Sequence, residues 1–385
     1  MGKFAFMRSH VILRSPILLM AAFPVLTACG SNAPVPSPLS DAALAAVSED
    51  PGAPVRQVAR AVDDLFSDSA LGETRAVVLM HGGEVAAERY AAGYGPDTRF
   101  VSWSMAKTVT AVLIGMLVAD GLLDPDAPAP VPRWTRPGDP RGEITLRHLL
   151  QMRSGLRHTE AGDPPFASSE VRMLFLDGRD DMAEFAKAQP LEAEPGERFE
   201  YSSNTSVILA DIAARALTDS TDPDVRRKAV ADYLRTRLFD PLGMTSMVPE
   251  FDSAGTLIGG SLIHGTARDW ARLGDFLRSK GSHRGAQLLP RGWVEQMVTP
   301  SPRSPHYGFQ TWLNRDVERA EGEEHPLFPD DAPASVFALV GHMGQYTLVS
   351  PAQKVTLVRL GHSDKAERAA LLPRLAEVLA LYPET

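Results

Sequence analysis

Cysteine is almost missing from this chain. Cys29 is the single one among 385 residues, so no disulfide can form within the molecule and a packed core has to stabilise it. Basic charge is also short, with 39 Lys and Arg against 48 Asp and Glu and a formal net charge of −9. A surface that acidic argues against nucleic acid as a partner. Gly-x-Ser-x-Gly, His-Glu-x-x-His and Gly-x-Gly-x-x-Gly do not occur. Their absence removes the strand–nucleophile–helix elbow, the zincin helix and the dinucleotide loop. Apart from His342, the histidines are scattered without ligand spacing and read as structural or surface residues. No internal repeat is present.

What is there suits a globular protein. Apolar residues make up 44% and charged residues 23%, ordinary values for a chain with a core. The length suffices for one large domain or two lobes sharing that core.

The N-terminus reads as an export signal rather than as part of the fold. Lys3, Arg8 and Arg14 precede an apolar stretch, Pro16 to Ala28, too short for the roughly 20 helical residues that span a bilayer. The stretch ends in Leu26-Thr27-Ala28-Cys29-Gly30, which resembles the lipobox of bacterial lipoproteins. The resemblance implies that residues 1–28 are a signal peptide and that Cys29 becomes a lipid-bearing N-terminus. Gly30 after the cysteine implies the periplasmic face of the outer membrane. Two or three acyl chains would hold the protein stably. The alternative is an ordinary secretory leader cut nearby. Removing the leader takes away three cations and no acid, leaving −12. Residues 29–54, rich in Pro, Ser and Ala, read as a flexible tether, and residues 55–385 as the folded domain.

The centre of that domain is Val101-Ser102-Trp103-Ser104-Met105-Ala106-Lys107, which holds the only Ser-x-x-Lys in the chain. It opens an apolar run, Val109 to Leu123, whose all-round hydrophobicity predicts a buried central helix ending at Gly121. Residues three apart share a helical face, so Ser104 and Lys107 point the same way. Ser102 is expected to cap the helix, leaving Ser104 in a first turn rich in unpaired N–H groups. A buried lysine is costly unless paired, and burial is expected to depress its pKa toward that of a base. A nucleophile with a base beside it and donors for the oxyanion is the result.

Around this stretch, Val55 to Phe66 is an amphipathic helix, and Ala76–Met80 and Val85–Tyr90 form a hairpin about His81-Gly82-Gly83. Residues from about 125 to 300 are mostly helical, with periodic segments at Leu146–Met152, Asp181–Ala188, Asn204–Ala216, Val225–Leu238 and Thr266–Leu277. Strand-like runs then follow at Gly308–Leu313, Ser335–Val340, Tyr346–Ser350 and Val355–Leu360, before a closing helix at Asp364–Leu381. Strands at both chain ends with helices between them predict an α/β (α+β sandwich) fold. In it, one central antiparallel sheet is flanked by terminal helices and stands beside an inserted helical lobe. The loops 158–170 and 300–330 are expected to border the cleft.

Two further segments carry candidate chemistry. Tyr201-Ser202-Ser203 is the only Tyr-x-Ser in the chain, and a phenol beside a buried ammonium is expected to be stabilised as phenolate. Alternatively Ser202 or Ser203 merely caps a helix and Tyr201 packs. Gly341-His342-Met343-Gly344-Gln345 lies between two strands, where small residues admit a substrate and the Gln345 N–H can serve as an oxyanion donor beside that of Ser104. Alternatively it is a plain glycine turn.

In order, Ser104-x-x-Lys107, Tyr201-x-Ser203 and His342-x-Gly344 resemble the three motifs of the penicillin-recognising serine hydrolases. The branch of class C β-lactamases, family VIII esterases, D-aminopeptidases and 6-aminohexanoate-dimer hydrolases is the most similar. Ile144-Thr145-Leu146-Arg147-His148-Leu149-Leu150, Pro241-Leu242-Gly243-Met244 and Thr266-Ala267-Arg268-Asp269-Trp270 extend the resemblance over about residues 75 to 380. It implies a β-lactamase/transpeptidase-like fold and acyl transfer through Ser104. Lys107 and Tyr201 would move the proton, the amides of Ser104 and Gln345 would hold the oxyanion, and Ser203 would orient substrate or link the proton network. The substrate would be a small amide or ester, and no metal or cofactor would be needed. His342 replaces the lysine usual in lactamases, and a mostly neutral histidine makes strong β-lactamase activity unexpected. A peptidoglycan DD-peptidase and a non-catalytic envelope binding lipoprotein are the alternatives.

Overall fold

The computed structural model describes residues 38–316 and 327–385; Cys29 and the leader lie outside the described residues. Six strands form the main sheet. They are β1 (Glu73–His81), β2 (Glu84–Tyr90), β3 (Trp312–Leu313), β4 (Phe337–Gly341), β5 (Gln345–Ser350) and β6 (Val355–His362), in the spatial order β2-β1-β6-β5-β4-β3. All pairings are antiparallel, and β1 lies beside β6, joining the two ends of the chain at the middle of the sheet. The expected strand Gly308–Leu313 shrinks to Trp312–Leu313. Gly308 instead turns tightly against helix 291–297, where a Cβ would meet Met297 O at 1.9 Å.

Alternation along β1 explains the layers. Val77 and Leu79 face one core with Leu357, Leu348 and Ala338, whereas Ala76 and Val78 face a second core on the opposite side. The first core is closed by the terminal helices α1 (Val55–Ser67), through Val58, Val62 and Leu65, and α8 (Lys365–Ala380), through Leu371, Leu375 and Val378. The second core holds the long helices of the chain's middle. These are α2 (Ala106–Ala119), α3 (Ser169–Phe175), α4 (Met182–Lys187), α5 (Ser203–Leu217), α6 (Pro223–Leu234) and α7 (Ala267–Arg278). Sheet faces buried on both sides account for the continuous apolar runs of β5 and β6. α7 lies so close to the sheet that a Cβ on Gly274 would come within 2.6 Å of Thr356.

α2 is buried on every side from Ala106 to Leu117. It stops as the sequence indicates. Gly121 takes φ +74°, its N–H donates to Val118 O and that of Leu122 to Leu117 O, the paired bonds of a Schellman ending. α6 ends at Leu234, earlier than the expected Leu238, because a wider π turn, Arg235–Phe239, precedes Pro241. Part of the expected tether is structured. Asp41–Ala45 form a helical turn, and Ser48 N and Glu88 N bond across to Ala86 O and Ala46 O. The packing of the chain onto β2 thus begins before residue 55. Among the described residues no helix is long and apolar enough to cross a membrane.

Candidate active site

Ser104 sits in a tight 3₁₀ turn, Trp103–Met105, that leads into α2. The expected cap is not made. The Ser102 hydroxyl turns inward instead, donating to Trp103 O at 2.9 Å and Ser261 O at 3.3 Å and accepting from Ile263 N at 3.1 Å. Ser102 is fully buried and ties the turn to the strand at Ile263–Gly265. Trp103 is held at φ +46°, a conformation costing about 1–3 kcal/mol for a bulky residue and kept only where its surroundings enforce it.

Lys107 lies one helical turn further on and is 1% exposed. Its ammonium donates to Ser104 Oγ at 2.9 Å, Ser203 Oγ at 2.7 Å and Gly260 O at 2.9 Å. Burial pushes its pKa down, as expected from sequence, but Tyr201 and the Glu160 carboxylate outweigh that and the net shift is upward. The sequence expectation of a depressed lysine is corrected accordingly. Tyr201 is corrected too. Burial pushes its phenol up by more than the Lys107 charge pulls it down, so it rests neutral rather than as phenolate. Its ring packs against Tyr307 (5.7 Å) and Trp312 (5.1 Å), with Lys107 Nζ 4.7 Å from its centre.

Ser203 opens α5, and the helix cap is Ser202, whose hydroxyl accepts from Asn204 N at 3.1 Å. The capping alternative therefore holds for Ser202. Glycines 259 and 260 let the chain pass between α2 and α5, where a Cβ on Gly260 would stand 2.8 Å from Ser203 O. The third segment forms the turn between β4 and β5. Gly341 presses on the Ser104 turn, since a Cβ there would meet Ser102 O at 2.3 Å. Gly344, at φ +80°, faces Arg359 and Ser363 instead of the cleft. Gln345 is buried, and its side chain splints the turn through His342 O, Met343 O, Gly361 O and Gly361 N at 2.7–3.1 Å. The fully buried Arg359, lowered by burial to about 10, adds a bond to Gly344 O at 2.9 Å.

Ser104, Tyr201, Gly341 and His342 line one cleft of about 560 Å³. His342 meets Trp103 edge-on at 5.5 Å. Partial burial, then the charges of Arg368 and His362, hold its pKa below the ordinary value, which keeps it neutral. Lining residues absent from the sequence reading are Glu160, Glu170, Trp312 and Arg368. Glu160 accepts from Ser203 Oγ at 2.7 Å and from Ser203 N at 2.6 Å, and stands 3.5 Å from Lys107 Nζ. Glu170 is raised to about 7 by burial and by the Glu160 charge, against the pull of Lys107. The loop 158–170 thus borders the cleft as expected, held by reciprocal Thr159–Ser169 bonds of 2.8 Å. No motif marks these carboxylates. Among the described residues no group of acidic, His or Cys side chains could hold a metal ion.

A sheet bordered by helices, with a serine and a lysine paired at the start of the central helix, defines a class, and the comparisons agree. The beta-lactamase family model matches residues 69–380, and the chain belongs to that family, whose members are serine hydrolases. It is 29% identical over 279 residues to the 6-aminohexanoate-dimer hydrolase of Paenarthrobacter ureafaciens, covering 67% of each chain. Among solved structures, a provisionally assigned 6-aminohexanoate-dimer hydrolase from Bacillus anthracis superposes with a TM-score of 0.65. The two are 20% identical, and 83% of this chain and 81% of that one are covered. A family VIII carboxylesterase gives 0.59 at 15% identity, over 85% and 96% of the two chains. At these identities the two structures speak for the fold.

Proposed function

We propose that the protein hydrolyses small amides or esters through an acyl-enzyme on Ser104. The observation that carries this reading is the 2.9 Å contact between Ser104 Oγ and the buried Lys107, at the floor of an open cleft. Ser104 Oγ attacks the substrate carbonyl and its proton passes to Lys107, which returns it to the leaving nitrogen or oxygen with the neutral Tyr201 hydroxyl beside it as relay. The backbone N–H groups of Ser104 and Gln345 hold the oxyanion; the splinting of the 341–345 turn supports this role for Gln345. Water then releases the acyl group by the same proton route.

Charge along the cleft supports a substrate class. Glu160 and Glu170 line one part, while His342 and Arg368 line another. An amide joining two amino-carboxylic acids, the kind of compound in the name of the Paenarthrobacter relative, carries an ammonium at one end and a carboxylate at the other. It suits such a wall. Arg368 also favours a second reading, since it offers the permanent cation that His342 does not, and a β-lactam or peptide carboxylate could pair with it. The lipid anchor at Cys29 is proposed from sequence alone.

The test is mass-spectrometric labelling of residues 31–385 with a fluorophosphonate, beside turnover of p-nitrophenyl butyrate, an aminohexanoate dimer and nitrocefin. We expect one adduct, on Ser104, and ester and amide turnover that falls at least about 1,000-fold in Ser104→Ala. An adduct that survives the substitution would sink the nucleophile assignment. Nitrocefin turnover exceeding that of the amide would favour the second reading.

A further inference from the structure

We infer that Glu160 is the positioning residue of the Ser104–Lys107 pair: through the Ser203 hydroxyl it takes the proton that Lys107 must shed before it can act as a base. The inference rests on the acyl-transfer reading above and deepens it.

The geometry leaves Lys107 no lone pair. An ammonium has three N–H groups, and here all three are committed, to Ser104 Oγ, Ser203 Oγ and Gly260 O. A lysine that donates to its own nucleophile cannot accept from it. At 1% exposure it has no direct exchange with bulk water. Gly260 O and the neutral Tyr201 phenol cannot take a proton near neutral pH. Ser203 can pass one on. It accepts from Lys107 at 2.7 Å and donates to Glu160 Oε1 at 2.7 Å. The other Glu160 oxygen is fixed by Ser203 N at 2.6 Å, at the N-terminus of α5. The groups acting on or facing this carboxylate are Lys107 on α2, Glu170 on α3, Glu200 and Tyr201 before α5, Tyr307, and His342 from the β4–β5 turn. Lys107 is the one cation among them, and Arg368 on α8 lines the same cleft.

The step balances without any outside reagent. One proton moves from Lys107 Nζ to Ser203 Oγ while the Ser203 proton moves to Glu160 Oε1. Ammonium and carboxylate become amine and carboxylic acid, with no change in total charge. The amine turns about its Cε–Nζ bond and takes the Ser104 proton as Oγ bonds to the carbonyl carbon and the C=O electron pair moves to oxygen. On collapse the bond to the leaving atom breaks, and that atom takes the proton from Lys107. Deacylation needs no second exchange. The Lys107 amine takes a proton from water as the water oxygen bonds to the acyl carbon, and gives it to Ser104 Oγ as the acyl–Oγ bond breaks. Glu160 then returns its proton to Lys107 through Ser203.

Because the exchange conserves protons, acylation in the native protein should be flat with pH through neutrality. Without the carboxylate, Lys107 has to lose its proton to solvent, and the rate should climb about tenfold per pH unit. The experiment measures the acylation burst with p-nitrophenyl butyrate from pH 5 to 10 in Glu160→Gln, Glu160→Asp and Ser203→Ala. It is run in a Glu170→Gln background, so that the titration of that group near 7 does not overlap. We expect Glu160→Gln to be at least about 100-fold slower at pH 6 and to approach the parent rate at high pH, with KM little changed. Glu160→Asp should recover most of the flat profile. Ser203→Ala should show the same alkaline climb, and it keeps the test decisive should the glutamine variant fold poorly. A Glu160→Gln profile that superimposes on the parent overturns the inference. So does one lowered equally at every pH, which would mark a merely structural carboxylate. Activity that persists in Ser104→Ala would instead overturn the acyl-transfer reading itself.

Discussion

At Glu170 a carboxyl group sits in the cleft between Pro165, Val171 and Phe175. The cation that acts on it, Lys107, is already held by three acceptors. Its pKa of about 7 lies above that of a free glutamate, so the folded state binds this proton more tightly than the unfolded chain does. The stabilisation is complete below the unfolded value of about 4.5 and is lost as pH rises through about 7. Glu170→Gln should therefore leave thermal stability unchanged at pH 4 and raise Tm at pH 8 by roughly 3 °C, read by calorimetry. An equal gain at both pH values would show that titration is not the cause. At this scale the sequence singled out Ser104 and Lys107 but neither glutamate. Ser104-x-x-Lys107 is a local pattern imposed by helical spacing, whereas Glu160 reaches Ser203 across 43 residues of chain and leaves no periodic trace.

Among the elements, the helices of the middle region are joined by one buried carboxylate. Asp211 on α5 accepts from Lys187 of α4 at 2.9 Å, Arg215 at 2.9 Å and Arg226 of α6 at 2.7 Å, with Lys187, Asp211 and Arg226 themselves almost wholly enclosed. Burial alone would raise the Asp211 pKa, but the Lys187 and Arg215 contacts override it and the net shift is downward. A depressed carboxylate contributes stability above the unfolded pKa of about 4, and this is lost as pH falls through the folded value. Asp211→Ala strands the buried Lys187 and Arg226 and should cost about 3–5 kcal/mol at pH 7, seen as a lower urea midpoint, with the deficit shrinking as pH falls below the ordinary carboxylate range. Helix positions here were legible from periodicity, but nothing in that pattern marked the charged residues as partners. Their convergence depends on the packing of three helices.

On the scale of the whole molecule, the sheet is closed by strands from both chain ends, and the site lies where that sheet meets the helices between them. The proposed anchor acts at this scale as well. Lipid on Cys29 would confine the hydrolase to a membrane surface through the segment before residue 39. Cys29→Ser should release the protein from the membrane fraction of a Gram-negative host and abolish palmitate incorporation. Retention of the substituted protein in that fraction would end the proposal.

By itself the sequence determined most of the element order, the buried central helix with its glycine stop, the hairpin and strand runs at the two ends, and the three motifs that meet at the cleft. Each of these is a local or periodic property, set by spacing along the chain. The protonation states of Lys107 and Tyr201 were decided only by tertiary structure, and both sequence expectations failed there. Lys107 stays charged and Tyr201 neutral because Glu160, buried rings and helix packing set the balance of burial against nearby charge. That balance is a sum over neighbours that the chain order does not reveal.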